Sequence, residues 1–150
     1  MTWFAVGSFA DQLRAAQTKT ERKMDTLARR VAKDVFRNVI FETPVDKGGA
    51  RANWQPSIGS PATGTVNATD PSGAATMAKV QAKIATMDAG DIIYLTNNLP
   101  YILKLEEGGY PDGPKTIGGF SRKAPAGMVA LTVQKFQSIV RQLNIEIGRQ

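Results

Sequence analysis

The chain has no cysteine and no histidine. The first absence excludes disulfides, thiolate nucleophiles and Cys-based metal sites, and the second removes the commonest general base and the commonest transition-metal ligand. Much of enzyme chemistry goes with them, so no catalytic residue, metal site, cofactor or small-molecule substrate is expected. Long apolar runs are missing too. No window approaches the roughly 20 apolar residues of a membrane span, and Met1-Thr-Trp-Phe-Ala-Val-Gly7 has neither the basic leader nor the apolar core of a secretory signal. Neither membrane insertion nor classical export is expected.

What is present describes a folded domain. The 150 residues are 42% apolar and 21% charged, ordinary globular usage far from that of disordered chains. A chain of this length buries about 68–70% of its unfolded surface, so residues 1–150 are read as one domain. The net charge is +6 and the isoelectric point is near 9.8, which favours association with polyanions rather than any particular fold. From residue 112 onward six Lys or Arg stand against two acids, so the positive excess leans towards the C-terminal third.

Periodicity supplies the elements. Ser8, three positions before Asp11, resembles a capping box, which leaves residues 1–8 as a tail. Leu13, Ala16, Thr20, Met24, Leu27, Val31, Val35 and Val39 then recur at helical steps, predicting one long amphipathic helix ended by Pro44, with a polar window at Gln17–Thr20 that allows a kink or a frayed start. Ala52 to Ile58 alternates in strand fashion, and Pro56 confines any pairing to a sheet edge or a bulge. Residues 59–73, rich in Gly, Pro, Ser and Thr, read as a mobile loop. Ser72 can cap a second helix carrying Met77, Val80, Ile84 and Met87, and Asp91–Thr96 is the best candidate for the centre of the sheet. Pro100 can open a short helix with Tyr101 and Leu105 on its buried side and Gly108 as its stop. Residues 108–123 hold five glycines and two prolines and read as a second mobile loop. Pro125 then opens a last helix whose Val129, Val133, Phe136, Val140, Leu143 and Ile147 form a nearly heptad seam.

The expected architecture is therefore α+β: a long N-terminal helix and a C-terminal helix packed on a small, mainly antiparallel sheet, with the two long loops projecting.

Several residues admit a reactive and a structural reading. Asp46, preceding Gly48-Gly49, can accept backbone N–H groups and hold a sharp reversal. The Arg51 fork suits a carboxylate such as Glu106 or Glu107, although a surface arginine without a fixed partner reads nearly as well. Glu106 and Glu107 are adjacent, so they do not face each other and make a poor catalytic pair. Trp54 and Tyr101 are better core anchors than stacking platforms for bases or contacts to a partner. Gly108-Gly-Tyr-Pro-Asp-Gly113 lacks the glycine spacing of a phosphate-binding loop. The basic residues of the first helix are interspersed with Asp25, Asp34 and Glu42, as on a solvated face, yet could dock on DNA phosphates. The C-terminal seam packs within the chain by default, or on a neighbouring subunit.

Three segments carry a family resemblance: Thr43-Pro-Val-Asp-Lys-Gly-Gly-Ala-Arg-Ala-Asn-Trp54, Asn97-Asn-Leu-Pro-Tyr-Ile-Leu-Lys-Leu-Glu-Glu-Gly108 and Lys123-Ala-Pro-Ala-Gly-Met-Val-Ala-Leu131. In this order they resemble the neck and tail-completion proteins of long-tailed bacteriophages, over roughly residues 20–147. The matched positions are Pro44, Asp46, Gly48, Arg51, Trp54, Tyr101, Leu105, Glu106, Gly108, Pro125, Gly127 and Met128. Departures are Lys47 where the family commonly has Thr, Gly49-Ala50 where Arg-Leu is frequent, and the glycine-rich stretch after Glu106. The resemblance implies a virion structural protein of the head–tail junction that assembles in the host cytoplasm. Its partners would be copies of itself in a sixfold ring, other neck and tail proteins, and non-specifically the DNA in the channel. A tail terminator or minor tail protein, a free basic nucleic-acid-binding protein, and a hydrolase using Asp46 and Glu106 are the alternatives.

Overall fold

The computed structural model describes residues 6–123 and 127–149, with side chains from residue 11 onward. The first helix, α1 (Val6–Glu42), runs 37 residues, about 55 Å at the standard rise. It is continuous through the polar window at 17–20, where a kink or frayed start was expected, and there Thr20 donates its hydroxyl to Ala16 O at 3.0 Å and Gln17 bonds Glu21 at 3.0 Å. It also starts at Val6, upstream of the expected cap and inside the expected tail. The side chain of Ser8 lies outside the described residues, as does Pro125.

A short helix, α2 (Gly49–Ala52), follows, then strand β1 (Gln55–Ile58), helix α3 (Ala74–Ile84), strand β2 (Ile93–Thr96), helix α4 (Ile102–Glu107), strands β3 (Thr116–Ile117) and β4 (Phe120–Ser121), and helix α5 (Met128–Gly148). β1 pairs antiparallel with β2, Ile58 opposite Ile93 and Pro56 opposite Leu95. With two strands every strand is an edge, which suits Pro56. β2 is thus not the centre of a wider sheet. The expected mobile loop at 108–123 holds a second antiparallel pair, β3 with β4. Its two-residue turn is Gly118-Gly119, with φ of 58° and 84°, the left-handed pair that closes tight hairpins.

The core lies between α1, α3 and the β1–β2 ribbon. Ala32, Phe36, Val39 and Ile40 of α1 meet Trp54, Met77, Val80, Ile84, Met87 and Met128, with Ile58, Ile93, Leu95, Ile102 and Leu105 closing the sides. This α+β arrangement is the expected one. The buried arc of α1 is narrower and rotated relative to the expected stripe: Leu13 is 55% exposed and Met24 54%. α5 runs antiparallel along α1, joined by Lys135 to Glu42 at 3.0 Å and Arg30 to Glu146 at 3.4 Å. At 21 residues it covers about 31 Å, so it cannot span the amino-terminal half of α1, where residues 11–24 are exposed throughout.

The loop at 59–73 has no regular structure but is fastened. Asn53 donates to Val66 O and accepts from Val66 N, at 2.9 and 2.7 Å, while Asn98 donates to Ala62 O and Gly64 O at 3.0 and 2.9 Å. These bonds oppose the mobility expected of its composition.

Candidate functional site

The first motif turns the chain from α1 into β1, and its residues serve that turn. Thr43 is buried; its hydroxyl donates to Val39 O at 2.7 Å and accepts the Trp54 indole N–H at 2.8 Å. Trp54 is therefore the core anchor expected of it, with its polar end satisfied. Arg51 donates from Nη2 to Phe41 O and Thr43 O, both at 3.1 Å, and from Nη1 to Pro71 O at 2.7 Å. It satisfies a carbonyl left open at the C-terminus of α1 and ties that end to the loop before α3. The expected pairing with Glu106 or Glu107 does not form, because main-chain carbonyls take both Nη groups. Asp46 also departs from expectation. It is exposed and pairs with Lys115 at 3.3 Å, while the reversal is held from the opposite strand of chain.

That hold comes from Asp70. Its side chain is almost fully buried and accepts the N–H of Gly73 at 3.0 Å, the N–H of Thr76 at 2.8 Å, the Thr76 hydroxyl at 2.8 Å and the Ser72 hydroxyl at 3.3 Å. The carboxylate caps the N-terminus of α3, where helix dipole and orphan N–H groups favour an anion. Ser72, the expected cap, plays a smaller part by accepting Ala74 N–H at 3.2 Å. The Asp70 main-chain N–H bonds Gly48 O at 3.0 Å, bringing the loop against the first motif. Burial pushes the Asp70 carboxyl up. The donors from Thr76, Gly73 and Ser72 outweigh burial and hold it below its ordinary 3.8. Burial likewise lowers the Arg51 pKa, and the charge of Asp70 offsets part of that.

A carboxylate with a lowered native pKa contributes stability above its unfolded value and loses it as pH falls through the native one. Asp70→Asn is accordingly expected to cost about 2 kcal/mol at neutral pH and to flatten the acid limb below about pH 4. Urea titrations of both proteins at stepped pH measure this; parallel curves would contradict it.

The second and third motifs meet each other. Glu106, on the last turn of α4, accepts the N–H groups of Met128 and Val129 on Oε2, both at 2.9 Å, and of Ala130 on Oε1 at 2.8 Å. One side chain thus caps α5 across 22 residues of chain. Gly127 permits the approach: its φ is 81°, and a Cβ there would lie 2.5 Å from Glu106 O. Met128 behind it is fully buried. Gly108 ends α4 with φ of 85° and sits beneath the Phe120 ring, 3.1 Å from where a Cβ would be. Glu107 faces solvent. Tyr101 is 43% exposed, not buried. It stands before the first turn of α4, so helical spacing does not carry it inward, and Ile102 joins Leu105 at the core instead.

Asp70 and Glu106 are thus occupied by main-chain donors, and Asp46 by a lysine. Among the described residues no cluster of acids has metal-ligand spacing, and no helix is long and apolar enough to cross a membrane. The functional features that remain are surfaces. One is the exposed apolar stripe of α5, with Val129, Val133 at 66% and Phe136 at 45% exposed, which the heptad pattern had assigned to packing within the chain. Of the seam positions, Leu143 and Ile147 are buried and Val140 is half-buried. Another is the bare amino-terminal half of α1. A third is a cleft of about 820 Å³ between the Pro44–Gly49 turn, residues 66–69, α4 and the β3–β4 hairpin.

Comparison with family models, with curated proteins and with solved structures finds no match.

Proposed function

We propose that this protein is a structural subunit of the bacteriophage head–tail junction, a neck or tail-completion protein that joins tail to head by assembling with copies of itself into a ring around the DNA path. The observation that carries the reading is the pair of unpartnered apolar helix faces. α5 leaves Val129, Val133 and Phe136 in solvent, and α1 extends well beyond its own domain with Leu13 and Met24 uncovered. A helix segment without tertiary contacts is marginal, and a contiguous exposed apolar stripe marks an interaction surface. Copies of the same chain supply the cover most simply, each long helix lying on a neighbour's α5. The motif residues Arg51 and Glu106 fit this role: with Asp70 of the following loop they fasten α1, α5 and α3 at their ends, which gives rigid blocks rather than a reactive centre. The net charge of +6 adds a sequence-independent, salt-sensitive attraction to DNA.

Val133→Glu together with Phe136→Glu is expected to convert the assembled protein to monomer while changing monomer stability by no more than about 0.5 kcal/mol, since both positions are exposed. Sedimentation analysis reads the assembly and thermal melting reads the fold. Electron microscopy of the intact particle, with this chain labelled, then places it. A chain that stays monomeric beside its virion neighbours and is missing from mature particles would overturn the reading.

A further inference from the structure

The cleft between the first motif and the β3–β4 hairpin has a composition that the ring does not call for. Four cationic side chains, Lys47, Lys115, Arg122 and Lys123, stand around it against one carboxylate, Asp46. Lys115 is satisfied by Asp46 at 3.3 Å and Lys123 donates to Val45 O at 2.8 Å. Lys47 and Arg122 are exposed, and among the described residues neither has an ion-pair partner. The walls behind this rim are apolar, from Val45, Val66, Leu99, Leu105 and Pro114, with the exposed Tyr101 among them.

We propose that this cleft binds an extended acidic peptide segment of a partner protein, an apolar side chain entering between the walls while flanking Asp or Glu residues meet Lys47 and Arg122. A volume of about 820 Å³ lies within the range of sites that enclose a ligand. The guanidinium of Arg122 can engage a carboxylate in two parallel bonds. Aliphatic and proline walls are poor platforms for bases, and a single strand of nucleic acid needs stacked bases as well as cations along its phosphates. The Tyr110 ring, the other aromatic at the cleft, already carries Lys104 at 5.7 Å. A peptide is therefore the better occupant. Its residues are distinct from the apolar stripe of α5, so this proposal stands whether or not the ring forms.

The test is selection of a random-peptide display library on the immobilised full-length chain, followed by fluorescence anisotropy of a labelled selected peptide. The expected result is enrichment of acidic residues around an apolar or aromatic one, with binding that weakens as salt is raised. K47E/R122E should weaken binding by about tenfold or more, and both sites are exposed, so its melting curve should match the parent's. V133E/F136E should leave peptide binding unchanged while abolishing assembly, which separates failure of this proposal from failure of the ring. Absence of any enriched peptide, enrichment without acidic residues, affinity unaffected by K47E/R122E, or tighter binding of an oligothymidylate in the same cleft would each overturn it.

Discussion

Glu106→Ala is expected to destabilise the protein by about 2–3 kcal/mol and to unwind the start of α5 before the rest of the molecule opens. Hydrogen bonds to a charged group contribute roughly 1.5–3 kcal/mol each when buried, and the carboxylate accepts three N–H groups at once. Two of those, on Val129 and Ala130, are at exposed positions, where water replaces the lost acceptor. The third belongs to Met128, which is fully buried and has no such recourse. The estimate therefore lies well below three full bonds. Glu106→Gln keeps the shape and one carbonyl acceptor but not the charge that favours a helix N-terminus, so it should fall about midway. Glu107→Ala removes a solvent-facing neighbour and should change stability by about 0.5 kcal/mol or less. Chemical denaturation ranks the three variants, and amide exchange at 128–130 locates the effect. Equal losses from Glu106→Ala and Glu107→Ala would show that the cap contributes nothing specific.

The contrast between these two glutamates also shows how far a sequence can be read. That neighbours on a helix point apart was legible from spacing alone, as were α1, α5, the strand character of β1 and β2 and the edge position of Pro56. All follow from short periods and from the missing donor of proline. Partners distant along the chain were not legible. Glu106 reaches α5 across 22 residues, and nothing in local pattern distinguishes that from a pairing with Arg51, whose fork instead found carbonyls at the end of α1. Asp70 was missed because Ser72, nearer the helix, fitted the usual cap position. An aspartate three residues before Gly73 with Thr76 beyond it was the available signal. The hairpin inside 108–123 was legible in principle, since adjacent glycines between Thr116-Ile117 and Phe120-Ser121 mark a two-residue turn, but the glycine content of the whole stretch obscured it. Periodicity identified α1 and α5 as amphipathic helices but misplaced part of each buried face, which turns onto Ala32, Phe36 and Ile40 in α1 and begins at Met128 and Thr132 in α5. It carries no information on whether a stripe is covered, and half of each is not.

Gly48→Ala should be among the most damaging single-methyl changes at the described residues, costing about 3–5 kcal/mol. Two effects combine there. The residue has φ of 92°, and a Cβ would lie 2.5 Å from Pro71 N, 2.7 Å from Asp70 C and 2.8 Å from Asp70 N. Left-handed geometry alone costs a non-glycine residue roughly 1–2 kcal/mol. The remainder comes from the contacts, because the opposing atoms are main chain and cannot rotate aside as a flexible side chain would. Relief requires the loop to retreat, which lengthens the Asp70 N–H bond to Gly48 O at 3.0 Å and the Arg51 bond to Pro71 O at 2.7 Å. The α3 cap and the α1 terminus would loosen together. Gly59 provides the control: its φ is 84°, yet nothing lies within 4 Å of a Cβ. Gly59→Ala therefore reports the strain without the clash and should cost only about 1–2 kcal/mol. The difference between the two variants in a urea titration isolates the close approach of the Asp70 loop to the first motif. If the two substitutions cost the same, that approach is not tight, and the first motif is held to α3 by its other bonds, Arg51 to Pro71 O, the Thr76 hydroxyl to Arg51 O and Lys79 to Ala52 O.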